Sequence, residues 1–205
     1  MAAEFGVFSP VFRSGDYLSL LHLGGPDVKR AFALVLECCR RSSDQYEEIA
    51  NLFGHLDWRP HLVGAVALTA LPYNRQACSK LWEAFDAGSW VTPQLAATAF
   101  LCDPTFPIQA GDRIRSRCPV NRSRLVGQPA LERHIASGPA GIAQRSAKAA
   151  SSLVRLARLL ASRPDWLDDE LASPDLTDLL AADIDHSAEI AQHWLNDLKA
   201  LSIGL

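Results

Sequence analysis

The sequence predicts an all-α protein, either a helical-hairpin array or an irregular bundle of about seven to nine helices, because its dominant signal is a helical period. Three observations carry that reading. Apolar residues recur at helical spacing along most of the 205 residues. Two segments, DWRPHLVGAVALTAL (57–71) and SWVTPQLAATAF (89–100), each follow a Trp and a Pro with a run that is apolar on every side. Strand signals are few, and only Phe5 to Phe12 is ambiguous.

The elements follow in order. In GGPDVKRAFALVLECCRR, Pro26 and Asp27 suit a helix start, and Val28, Phe32, Val35 and Cys39 make one stripe. SSDQYEEIANLFG offers Ser42 and Gln45 as a capping box, with Tyr46, Ile49, Ala50 and Phe53 on one face and Gly54 as the stop. Asp57 then caps a helix whose run from Leu62 to Leu71 has no polar side, the pattern of a buried helix. After Pro72-Tyr73-Asn74 an amphipathic helix carries Cys78, Leu81, Trp82 and Phe85 and ends at Gly88. Thr92 caps the second all-apolar helix, Pro93 opens it, and Asp103-Pro104 stops it. Residues 105–138 are rich in Arg, Pro and Gly and read as a long connection with a short helix near Pro129 to Ile135. A long helix follows from about Pro139 to Ser162, and two capped helices finish the chain, the last with Ile190, Trp194, Leu198 and Leu201 on its core stripe.

The two Trp–Pro segments are related by an offset of 33 residues at the prolines and 32 at the tryptophans. Gly64, Ala65, Ala96 and Ala97 suit helices whose axes approach closely, and Trp58, Trp82 and Trp90 read as wedges between helices. Over residues 26–104 this pattern resembles HEAT-like helical repeats. The resemblance implies a stack of hairpins, here within one α-helical domain spanning 1–205, with 26–104 as core and 139–205 as C-terminal helices. In size, acidic surface and lack of a catalytic motif, the whole chain also resembles the small single-domain immunity proteins that bacteria keep in the cytoplasm against secreted toxins.

Composition gives 48% hydrophobic and 21% charged residues, the balance of a soluble globular protein. The opening MAAEFGVFSPVFRSGD has no basic start leading into a long apolar run, and Leu62 to Leu71 is too short to span a bilayer. Both point to a cytoplasmic chain with no membrane partner. The five cysteines include no C-x-x-C pair, which argues against a disulfide framework and a zinc site, and no cofactor motif is present.

Charge is sharply segregated. Residues 1–112 carry a net of −4, residues 113–163 a net of +10, and residues 164–205 a net of −9. Such asymmetry concerns partners and long-range fields. One reading is mutual neutralisation of neighbouring segments. A second is that the acidic set Asp165, Asp168, Asp169, Glu170, Asp175, Asp178, Asp183 and Asp185 meets a basic protein partner, such as a toxin or effector, where charge complementarity sets on-rate and specificity. A third is that Arg113, Arg115, Arg117, Arg122 and Arg124 take part in partner binding or hold phosphate groups. Against nucleic acid stand a pI near 6.0 and the lack of aromatics interleaved with those arginines.

Catalytic patterns are scarce. His186, Glu189, His193 and Asp197 share helical spacing and could form a metal-binding face, but the H-E-x-x-H spacing is missing. A polar flank beside the Trp194 stripe, with Asp197 pairing to His193, accounts for them better. Asp57 and His61 lie one turn apart, and helix capping by Asp57 explains their proximity. The sequence therefore leads to a non-enzymatic protein-binding module, an immunity-type inhibitor of a toxic effector. The alternatives are a metal-dependent enzyme using His186, Glu189 and His193, or a phosphate or nucleic-acid binder using the arginine segment.

Overall fold

The structure is a computed structural model that describes residues 5–121 and 139–203. Eleven α-helices and no strand occur among the described residues, so the all-α class holds while the helix count exceeds the expected seven to nine. They are α1 (Ser9–Ser14), α2 (Val28–Arg41), α3 (Gln45–Gly54), α4 (Trp58–Thr69), α5 (Arg75–Asp86), α6 (Thr92–Cys102), α7 (Phe106–Arg115), α8 (Pro139–Ala157), α9 (Asp165–Leu171), α10 (Pro174–Ala181) and α11 (Ser187–Ile203). Two short 3-10 turns, Gly6–Phe8 and Asp16–Leu20, flank α1.

Three of these helices depart from the sequence reading. Phe5 to Phe12, ambiguous as a strand, forms a 3-10 turn and α1. The first third of the expected long connection is α7, started by Pro107 and buried through Phe106, Ala110 and Ile114. Gly111 belongs there because Trp166 covers it: a Cβ at this position would lie 2.7 Å from Trp166 Nε1. The third is α9, which follows the end of α8 at Ala157 rather than near Ser162. The helix expected near Pro129 to Ile135 lies outside the described residues.

Caps define most of the starts. Asp57 Oδ1 accepts from Arg59 N at 2.9 Å, and Asn74 Oδ1 accepts from Ala77 N at 2.9 Å. For α3 the cap is Asp44, which accepts from Glu47 N at 3.2 Å, and Ser42 instead accepts from Asp44 N. Thr92 does not cap α6: it is the first helical residue, and its hydroxyl donates to the Ser89 carbonyl.

Packing explains the paired apolar segments. α3 lies against α4 and α5 against α6, and the two hairpins stack with α3 on α5 and α4 on α6. Gly64 sits where α3 and α4 meet, a Cβ there falling 3.2 Å from the Phe53 ring. In α4, Pro60 to Leu68 are all buried, as are Thr92 to Ala99 in α6. α8 and α11 pack on each other and both on α6, closing the side left open by the hairpins. Several polar groups within this interior are paired: Thr98 donates to the Gln94 carbonyl, and Trp82 Nε1 donates to Asp103 Oδ2 at 2.8 Å, whereas the buried Gln94 Oε1 has no hydrogen-bond partner.

Truncating the fully buried Leu95 to Ala is expected to cost about 2–5 kcal/mol in equilibrium urea unfolding, since the cavity cannot collapse between packed helices. Ile108→Ala, at a residue 63% exposed, is expected to stay within about 0.5 kcal/mol of the unaltered chain in the same measurement.

Candidate interaction surfaces

The arginines of the basic segment have separate fates. Arg113, only 15% exposed, makes two parallel bonds of 2.7 Å to the Asp86 carboxylate. Its guanidinium also stacks 4.1 Å from the Trp82 ring centroid, and Nη1 donates to Gln109. Arg117 bonds to Glu170 at 2.6 Å and to the Ser173 hydroxyl, tying the end of α7 to α9 and α10. Arg115 pairs one turn back with Asp112 on the surface. Arg122 and Arg124 lie outside the described residues. Farther along, Arg145 donates to the Gly88 carbonyl and Lys148 pairs with Asp185 at 3.2 Å. The described part of the basic segment is thus largely matched by carboxylates and carbonyls of this same chain.

The acidic set divides in the same way. Glu170 is held by Arg117, Asp185 by Lys148, and Asp168 by the exposed Arg163. Asp183 is a helix cap: its carboxylate accepts from Ser187 N and from Ser187 Oγ, each at 2.9 Å, and so sets the start of α11. Asp165, Asp169, Asp175 and Asp178 are exposed on α9 and α10, and no cation among the described residues pairs with them.

His186, Glu189 and His193 are all exposed, yet they do not converge. His186 precedes the helix with φ +54, so its direction does not follow the helical phase of the other two. Among the described residues no three side chains of His, Cys, Asp and Glu are placed to hold a metal. All five cysteines are free thiols. Burial pushes the Cys102 and Cys118 thiols up to about 12, and Cys39 and Cys78 up to about 11, which leaves little thiolate at neutral pH.

Asp57 engages Arg59, through both the backbone N–H and the guanidinium, rather than His61. His61 is buried between two elements: Nε2 lies 2.8 Å from the His55 carbonyl and Nδ1 lies 2.9 Å from Ser89 Oγ. A carbonyl only accepts, so in the neutral ring Nε2 carries the proton and Nδ1 accepts from the Ser89 hydroxyl. The distance suits a nucleophile and its base. However, Ser89 is 6% exposed and His61 3%, leaving no room for a substrate. The pair instead locks the corner between α5 and α6, where Thr92 also bonds to Ser89.

That corner displays Trp90, and here the wedge reading of the tryptophans fails. Trp82 is buried, but Trp90 is 56% exposed and Trp58 half-buried. A row of rings runs from Phe5 to Phe12, Tyr17, Trp58 and Trp90, with successive centroids 4.1, 5.8, 6.4 and 5.0 Å apart. Arg59 lies over Trp58 and Lys148 beside Trp90. The rings come from three separated stretches of the chain, residues 5–17, Trp58 and Trp90, so their meeting is a product of the fold. The signal in the sequence is positional: Trp82 falls in phase with Cys78, Leu81 and Phe85, whereas Trp58 and Trp90 stand at helix starts.

Two troughs also open on the surface. One of about 790 Å³ is polar and lined by Asp44, Tyr46, Asn51, His55 and Lys80. The other, of about 620 Å³, is lined by Leu71, Tyr73, Phe100 and Leu101 with Lys199 at its edge. No helix among the described residues is long and apolar enough to cross a membrane. Comparison of the chain with protein-family models, with curated proteins and with solved structures finds no match.

Ser89→Ala is expected to lower stability by about 1–3 kcal/mol, because it strips a buried ring nitrogen of its partner. Urea unfolding of the variant checks this. Arg113→Lys is expected to lower stability by about 1–2 kcal/mol in the same assay, since lysine can reproduce neither the parallel bonds to Asp86 nor the stacking on Trp82. Arg115→Ala should change stability by less than about 0.5 kcal/mol there, as its pair is exposed.

Proposed function

We propose that this chain is a non-enzymatic protein-binding module that captures a basic protein partner on the acidic face of α9 and α10. Its mode is that of an immunity-type inhibitor, which neutralises a toxic effector in the cytoplasm by direct binding. The observation that carries the reading is the set Asp165, Asp169, Asp175 and Asp178, exposed and paired with no cation among the described residues. Asp165 and Asp175 stand in the first turns of their helices, where the helix dipole favours a carboxylate, but Asp169 and Asp178 lie beyond the first turn and gain nothing from it, while neighbouring carboxylates repel. A basic partner would relieve that repulsion and would be steered by the same field.

The stacked hairpins of α3 to α6 support the resemblance to HEAT-like repeats, while the acidic face is backed by α7 under α9 and by α8 under α10. Arginine-mediated phosphate binding has less support, because Arg113 and Arg117 already bond to Asp86 and Glu170. The metal-enzyme reading lacks a converging set of ligands among the described residues.

Affinity co-purification from the native cell, followed by measurement of the salt dependence of the complex, tests the proposal. A stoichiometric basic protein is expected. Replacing Asp165, Asp169, Asp175 and Asp178 together with Asn should weaken its capture about tenfold or more and flatten the salt dependence. An unchanged affinity and salt slope in that variant would remove the acidic face from the proposal.

A further inference from the structure

We propose that Arg117 is a strained clasp that holds α9 closed on α7, and that a cationic protein segment competing for Glu170 opens it. This rests on the reading of α9 and α10 as the face that captures a basic partner, and adds a conformational response to that capture.

α9 is lightly held. It has seven residues, rests on α7 and fully buries one leucine, Leu167. Two side chains tie it to α7 by hydrogen bonds among the described residues. Trp166 Nε1 donates to the Pro107 carbonyl at 3.1 Å, with its ring over Gly111. Arg117, just past the end of α7, supplies the other tie. Its Nη1 donates to Glu170 Oε2 at 2.6 Å, and its Nη2 donates to the Ser173 hydroxyl at 2.9 Å. Nη1 also donates back to the Ile114 carbonyl at 2.9 Å, so one guanidinium spans α7, α9 and the start of α10.

The backbone beneath this contact is in a conformation that side chains resist. Arg117 and Cys118 are consecutive residues other than glycine in the left-handed region, at φ +62 and φ +48. Each such residue is disfavoured by on the order of tenfold against the right-handed region. Conformations of this kind persist where their surroundings over-determine them. Cys118 is buried, and its N–H donates to the Arg113 carbonyl at 2.7 Å. Arg117 is held by its N–H on the Ile114 carbonyl and by the side-chain bonds to Glu170 and Ser173. Loss of Glu170 removes a charge-assisted bond and, with it, a restraint on the strained backbone. Breaking the first favours relaxing the second.

Glu170 is open to a competitor. Its side chain is 19% exposed and follows Asp169, one of the carboxylates that draw cations to this face. The rest of the region is anchored separately. α10 rests on α8 with Leu176 fully buried, Asp183 caps α11, and Asp185 pairs with Lys148. Opening is thereby confined to α9 and the end of α7.

Hydrogen exchange of the full-length chain, with and without decalysine, tests the proposal. Saturating decalysine should raise exchange of residues 114–118 and of α9 about tenfold or more, and leave α4, α6 and α11 unchanged. Glu170→Gln should raise exchange at the same places without the peptide, and decalysine should then add nothing further. Arg117→Ala should act likewise. Arg117→Gly should open α9 less than Arg117→Ala does, because glycine carries no penalty at φ +62. Unchanged exchange in Glu170→Gln, absence of saturable decalysine binding, or protection of residues 114–118 by the bound peptide would each overturn the clasp. So would an Arg117→Gly variant that opens as far as Arg117→Ala. If decalysine binds, loses affinity in the fourfold Asp→Asn variant and leaves exchange unaltered, the clasp fails and the acidic-face proposal stands. Opening by decalysine that is undiminished in the fourfold variant would keep the clasp and remove the acidic face.

Discussion

Two helices without a polar side have to be covered all the way round, and most of the fold follows from that requirement. α4 and α6 expose almost nothing along Pro60 to Leu68 and Thr92 to Ala99. α3 and α5 supply the other halves of their hairpins, α2 and the Asp16–Leu20 turn cover α4, and α8 with α11 covers α6. The covering elements are tied down by hydrogen bonds that cross long stretches of sequence. Gln94 donates to the Leu21 carbonyl at 3.1 Å, and Trp194 Nε1 donates to the Leu20 carbonyl at 3.0 Å. The N-terminal turn thereby joins the central helix and the last one. Burial on this scale, with each removed methylene contributing about 0.8 kcal/mol, is the main driving term for such an interior.

The charge asymmetry of the sequence is partly sewn up by folding. Arg117 with Glu170 and Lys148 with Asp185 join the basic middle to the acidic end, whereas Arg113 turns back to Asp86 in the first half of the chain. Lys148 is only 12% exposed, and its ammonium sits between the Trp90 ring and Asp185. One lysine thus links the aromatic row to the edge of the acidic region. Asp165, Asp169, Asp175 and Asp178 stay unmatched by any described cation on α9 and α10, two short helices with one fully buried leucine each, Leu167 and Leu176.

Helical period and all-apolar runs were legible because a buried face writes itself into sequence as spacing. So were Asp57 as a cap and Gly88, at φ +69, as a stop, since both rest on local backbone chemistry. α7 was not legible. Pro107, Gly111 and its arginines read as connection, and only the covering ring of Trp166, more than fifty residues later, explains why a glycine belongs mid-helix. The aromatic row was hidden for the same reason: spacing reports which residues share a helix face, while Phe5, Tyr17, Trp58 and Trp90 meet across separate elements. The acidic residues were visible as a set, but which of them remain unpaired depends on arginines that fold against them.

Native-state hydrogen exchange measures the central dependence on α4 and α6 directly. The amides of these two helices are expected to exchange only through global unfolding, at a free energy equal to that from urea denaturation, while those of α9 and α10 open locally at lower free energy. Exchange of the α6 amides as fast as those of α9 and α10 would contradict the view that the buried helix pair is what the rest of the structure, including the rigid display of Trp90, is built upon.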